Sequence, residues 1–240
     1  MSPNLLVKGH PMGNNDGNDE MVNIVDAVES RCHVAVESFI DINEETGKAD
    51  YRSDVKYKFT GLAAMKRKNN YDTFADSTEY IAKCGEHFGA EVTKYSNEDM
   101  HSFSPNLTEN ISFSKKINAS DMLLLKPIVY LPLSINGFSE EKRDIPVDFD
   151  SRMSANYSVM IHIPEGYSVE SLPQNASYRT DNNEVTFKFV VAQSGDCIVM
   201  KVNLAINKNF FVPEEYDSLK GILDTINNTL KCDIIIKKNK

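Results

Sequence analysis

In ADYRSDVKYKF, Ala49, Tyr51, Val55, Tyr57 and Phe59 alternate with Asp50, Arg52, Asp54, Lys56 and Lys58. Successive side chains of a β-strand point to opposite faces, so this rhythm predicts a strand buried on one side and wet on the other. The preceding CHVAVESFIDI repeats it, with Cys32, Val34, Val36, Ile40 and Ile42 on one side and Arg31, Glu37 and Asp41 on the other. The polar, glycine-containing NEETGK between the two runs predicts an antiparallel hairpin.

The same pattern continues along the chain. TGLAAMKRK predicts a short helix from Leu62, after Gly61 ends the strand. Asp72 reads as the N-cap of a second helix, with Phe74, Ile81, Ala82 and Phe88 on one face and Gly89 as its stop. AEVTKY and NISFSKKI read as strands, the latter with Ile111, Phe113 and Ile117 on one face. Near Asp121 a second module begins. MLLLKPIVYLPL is apolar but split by Pro127 and Pro132, which suits an edge or bent strand. Tyr157, Val159, Ile161 and Ile163 alternate up to the turn PEGY. EVTFKFVV and CIVMKVNLAI then alternate on either side of SGD, as in an antiparallel meander. Pro213, Glu214 and Glu215 open a helix with the stripe Tyr216, Leu219, Leu223, Ile226 and Leu230, before a last strand in CDIIIKK. The expected fold is α+β, mainly β. It comprises a flexible leader (1–20), an α+β hairpin/helix module (21–120) and an antiparallel β-sandwich with a C-terminal helix (121–240).

Charge and composition narrow the function. A net charge of −9 with no basic stripe argues against a dedicated nucleic-acid binder, whose affinity comes largely from neutralising phosphates. MKRK (65–68) reads as a solvated helix end. The longest apolar runs, such as Met122 to Leu125, fall far short of the ~20 residues that span a bilayer. Met1 to Gly13 has no continuous apolar stretch of the signal-peptide kind. Asn14, Asp16, Asn18 and Glu20 lie in a glycine-rich segment whose glycine comes too early for a calcium loop, so they are assigned to the leader. Cys32, Cys84, Cys197 and Cys232 are widely spaced and read as free structural thiols. Asn106, Asn110, Asn118, Asn156, Asn175 and Asn227 open N-x-S/T triplets, which an Asn- and Ser-rich chain produces by chance.

No local motif of catalysis occurs: neither G-x-S-x-G, P-loop, dinucleotide fingerprint nor H-E-x-x-H. Cys84 and His87 are three apart on a predicted helix, but near its C-terminal end, where the dipole disfavours a thiolate. Cys32 and His33 point to opposite faces of a strand. The five histidines lack zinc-ligand spacing, and His162 reads as simply exposed. Arg143 and Asp148, around Pro146, are expected to pair and pin an irregular entry into the sandwich. No catalytic, cofactor-binding or metal-ligating residue is assigned, and no cofactor is expected.

RDIPVDF (143–149), YSVMIHIPEGYSVESLPQN (157–175), FVPEEYDSLKGILDTI (211–226) and the lysine-ended DIIIKK resemble, in order and spacing, the C-terminal β-rich domain of unknown function of secreted transglutaminase-like proteins of Bacteroidetes. The resemblance covers residues 121–240, and KFTGLAAMKRKN (58–69) extends it toward the segment before that domain. Members of the family carry a signal peptide, an N-terminal β domain and a papain-like core with Cys, His and Asp. None of these maps onto this chain. The resemblance therefore implies an accessory or interaction module of a surface or periplasmic protein, with a protein or polysaccharide partner. A carbohydrate- or protein-binding sandwich and a small thiol-dependent hydrolase or transferase are the alternatives.

Overall fold

The computed structural model describes residues 29–43, 45–128, 138 and 140–239. The expected leader, and Pro132 in the predicted edge strand, lie outside them. The class is α+β and mainly β. In chain order the strands are β1 (Ser30–Asn43), β2 (Lys48–Thr60), β3 (Glu91–Glu98), β4 (Asn106–Asn118), β5 (Met122–Leu125), β6 (Val147–Asp148), β7 (Met153–His162), β8 (Tyr167–Ser171), β9 (Ala176–Arg179), β10 (Val185–Ser194), β11 (Cys197–Ile206), β12 (Phe210–Phe211) and β13 (Ile234–Lys238). The helices are α1 (Leu62–Tyr71), α2 (Ser77–Phe88) and α3 (Tyr216–Leu230).

The alternating runs all become strands. The hairpin β1–β2 pairs over its whole length, from Arg31 opposite Thr60 to Asn43 opposite Lys48. An eight-stranded sheet runs in the order β3-β4-β2-β1-β7-β11-β10-β9. Its neighbours are antiparallel except β1 and β7, which run parallel with Val34 beside Tyr157 and Val36 beside Val159. This junction carries the sheet across position 121, joining the early hairpin to the later meander. Two small ribbons complete the fold, β5-β13-β8 and β12-β6. β5 pairs with β13 alone, so the apolar MLLL is an edge strand.

One apolar cluster takes in the inward residues of the large sheet, Leu123, Leu125, Ile234 and Ile236 of the small one, and Leu219, Leu223 and Ile226 of α3. α1 touches β1, β2 and β4, α2 lies on β3, and α3 lies on β9 and β10. One face of the large sheet is therefore covered. Side chains such as Ala35, Glu37, Lys56, Met160 and Lys201 stand exposed on the other.

α2 begins later than expected. The Asp76 carboxylate accepts the Glu79 N–H at 2.9 Å and caps it. Asp72 instead closes α1, its N–H donating to the Lys68 carbonyl at 2.9 Å. The inward face of α2 also differs: Tyr80 and Cys84 are buried while Ala82 is exposed. Gly89 stops the helix in the left-handed region (φ 57°), where a Cβ would be strained.

Candidate interaction surface

Across the open face, the register sets side chains in rows. Asn110, Lys56, Ala35, Ser158 and Lys201 stand side by side on β4, β2, β1, β7 and β11. Ser112, Asp54, Glu37, Met160 and Val199 form the next row. Together they line an open groove of about 740 Å³. Glu37 and Asp54 are directly opposed, an arrangement that costs energy between like charges. Each has a partner: Ser112 Oγ donates to Asp54 Oδ1 at 2.6 Å, and His162 Nε2 lies 2.9 Å from Glu37 Oε1.

The following row holds the most chemistry. His162, at the end of β7, is opposite Cys197, at the start of β11. Its Nδ1 is 3.4 Å from Cys197 Sγ. The imidazole stacks on Phe39 of β1, with centroids 4.4 Å apart and planes 6° from parallel. Arg52 lies 5.7 Å from the Phe39 centroid and is bound to Asp41 at 2.6 Å. The expectation of a merely exposed His162 is incomplete, since the ring is bound on both nitrogens and one face. Cross-strand register brings these residues together, and no local spacing reveals it.

Beneath the covered face lies a buried polar network. Glu109 is fully buried on β4; its Oε2 accepts Arg67 Nε at 2.7 Å, and its Oε1 accepts the Tyr80 hydroxyl at 2.6 Å and the Tyr95 hydroxyl at 3.1 Å. Arg67 lies over the Tyr80 and Phe59 rings, 5.3 and 5.9 Å from their centroids. Burial works against the Arg67 cation, but Glu109 and then Tyr80 outweigh it and hold the proton more firmly than usual. Burial first, then Glu109, raises the Tyr95 phenol; burial also raises Tyr80, against the opposing pull of Arg67. Next to Arg67, Lys68 is buried and donates to the carbonyls of Ser102 and Ser104 at 3.0 and 2.8 Å. Half of MKRK is therefore inward, contrary to the solvated end expected of it. Ala64, Arg67, Lys68 and Tyr71 recur at helical spacing, a stripe visible in sequence once charged residues are allowed on it.

Beside this network, Ser30, Cys32, Arg67, Asn70 and Ser151 border a cavity of about 290 Å³. Its rim cations are paired, Lys66 with Asp150 at 2.6 Å and Arg31 with Glu29 at 2.5 Å. Ser30 and Ser151 bond to each other at 2.8 Å. The lining is thus largely satisfied from within the chain.

All four thiols are free. Burial pushes Cys32 up to about 12 and raises Cys84, against the opposing pull of Arg67. Burial also raises Cys232. Desolvation, then Asp196 and Glu37, raise Cys197. Cys84 faces inward and His87 outward, so they do not form a pair. Asp148 Oδ1 accepts the Asp150 N–H at 2.8 Å, while Arg143 Nε is buried without a hydrogen-bond partner among the described residues. Asp148 thus serves the turn into β7. Among the described residues no three His, Cys, Asp or Glu side chains converge as a metal site, and no helix is long and apolar enough to cross a membrane.

Residues 121–236 match DUF3858, a domain of unknown function for which structures have been solved. No curated protein matches the chain. A crystal structure of a candidate protease from Parabacteroides distasonis is similar at 15% identity and a TM-score of 0.39, over 48% of this chain and 23% of that one. Likeness at that level bears on neither fold nor chemistry. Residues 121–236 are therefore similar to a β-rich domain of unknown function, the coarser part of what the resemblance in RDIPVDF and the segments after it implied.

Proposed function

We propose that the chain is a non-catalytic accessory module of a longer, exported transglutaminase- or protease-like protein, and that it holds a protein partner on the open face of its large sheet. The observation that carries this reading is the groove across β4, β2, β1, β7 and β11, where Glu37, Asp54, Lys56 and Lys201 stand among short polar side chains and the apolar Ala35, Met160 and Val199. Mixed charges arranged on a rigid sheet suit recognition of a protein surface, where complementary charge sets register and specificity. A polysaccharide partner fits less well. Its usual platform is an open aromatic face, and Phe39, the aromatic ring of this site, lies under His162. The DUF3858 match and the motifs of the transglutaminase-like family support the accessory role.

Fractionating the native cell and blotting with an antibody against residues 121–240 tests the reading. A band well above 27.0 kDa in the envelope fraction is the expected result. A 27.0 kDa band in the cytosol would overturn it.

A further inference from the structure

We propose that Cys197 is a modification site, a thiol activated by His162 and Glu37 for reaction with a disulfide at the end of the groove. The inference stands on the side-chain geometry and does not depend on the accessory role.

The three groups stand in the order nucleophile, base, orienting carboxylate. Glu37, as a carboxylate, only accepts, so His162 Nε2 at 2.9 Å carries a proton and donates it. The lone pair of the neutral ring is then on Nδ1, 3.4 Å from Cys197 Sγ. Stacking on Phe39 holds the ring in that orientation. The residues come from adjacent strands β1, β7 and β11, so the sheet pre-organises them. The other charged groups near the pair are Asp196, in the turn before β11, and Arg52 with Asp41, across Phe39.

Two further observations single out this sulfur. Cys32 and Cys84 are buried, Cys197 and Cys232 are half-exposed, and of these two Cys197 is the thiol in hydrogen-bond contact with an imidazole among the described residues. Met160 and Val199, which line the groove, precede His162 and follow Cys197 by two residues on the same strands. An extended ligand in the groove would therefore run toward the sulfur.

In the step proposed, the Cys197 proton passes to His162 Nδ1 and the sulfur attacks one sulfur of R–S–S–R′. The S–S bond breaks, Cys197–S–S–R forms, and R′–S⁻ leaves and takes the proton back from the imidazolium. Cys197 is oxidised and the departing sulfur reduced. Such exchange depends on thiolate supply and access to the sulfur. Desolvation, Asp196 and Glu37 all disfavour the free thiolate, so the proton must pass to an acceptor held at the sulfur, and His162 Nδ1 at 3.4 Å is that acceptor.

The folded full chain is treated with oxidised glutathione and followed by intact mass and peptide mapping. Glutathione is expected on Cys197 first, removable by dithiothreitol. His162→Gln should slow the reaction at least about tenfold, as loss of a general base does, and Glu37→Gln should slow it less. In the urea-unfolded chain the four thiols should react alike in every variant. If His162→Gln loosens the sheet, glutathione on Cys32 will reveal it, and Glu37→Gln then carries the test. First reaction at another cysteine, or folded variants reacting at the wild-type rate, would overturn the proposal.

Discussion

Glu109→Ala is expected to lower the folding free energy by about 3–5 kcal/mol, as breaking a buried ion pair from one side does. The substitution leaves Arg67 a largely buried cation without its carboxylate, and strips the Tyr80 and Tyr95 hydroxyls of their shared acceptor. Against a typical total of about 5–15 kcal/mol, the loss should be plain in a urea melt. The double variant Glu109→Leu/Arg67→Met should lose less than Glu109→Ala, because an apolar pair leaves no orphaned charge. Recovery should remain incomplete until Tyr80→Phe removes one stranded hydroxyl, since an unmet buried donor costs about 1–3 kcal/mol. Equal destabilisation by the single and double variants would show that the charge pair is not what holds α1 and α2 to β4.

Leu223→Ala should cost about 2–5 kcal/mol through the cavity it opens where α3 meets the large sheet. Leu223 is fully buried and belongs to the cluster shared by α3, β10 and the small sheet. Asn228→Ala, on the exposed side of the same helix, should stay within about 0.5 kcal/mol of wild type. Paired melts of the two variants check whether α3 docks by the Tyr216, Leu219, Leu223, Ile226 face. Similar losses at both positions would place the helix differently.

The stripe on α3 was legible because apolar residues at helical spacing have one physical reading. The same is true of β1, β2, β10 and β11, where period two leaves no other structure to form. Alternation tells which face of a strand is buried, but not which strand lies beside it. Hence the parallel β1–β7 pairing, between segments more than a hundred residues apart, left no local trace. Polar burial was hidden for a related reason. Arg67 and Lys68 in MKRK read as solvated until their partners, Glu109 among them, are placed, because a charge is buried only where another element completes it. The burial of Tyr80 on α2 is hidden on the same ground, its hydroxyl requiring Glu109. At α2 two aspartates competed for the cap, and the one whose carboxylate reaches an N–H three residues on, Asp76, prevailed. Arg143 and Asp148 flank Pro146 in sequence, but the bond by which Asp148 accepts from the backbone of the following turn is not visible in that spacing. The contact of Cys197, His162 and Glu37 depends on register across three strands, which sequence periodicity does not specify.

The most direct test of a non-catalytic, partner-holding role is an assay of the purified chain for turnover on peptide and glutamine-containing substrates, with and without reducing agent. The expected result is no multiple-turnover hydrolysis or amide transfer, with any glutathione adduct on Cys197 stopping at one per chain. Sustained thiol-dependent turnover, lost in Cys84→Ser or Cys197→Ser, would contradict the account and make this chain an enzyme.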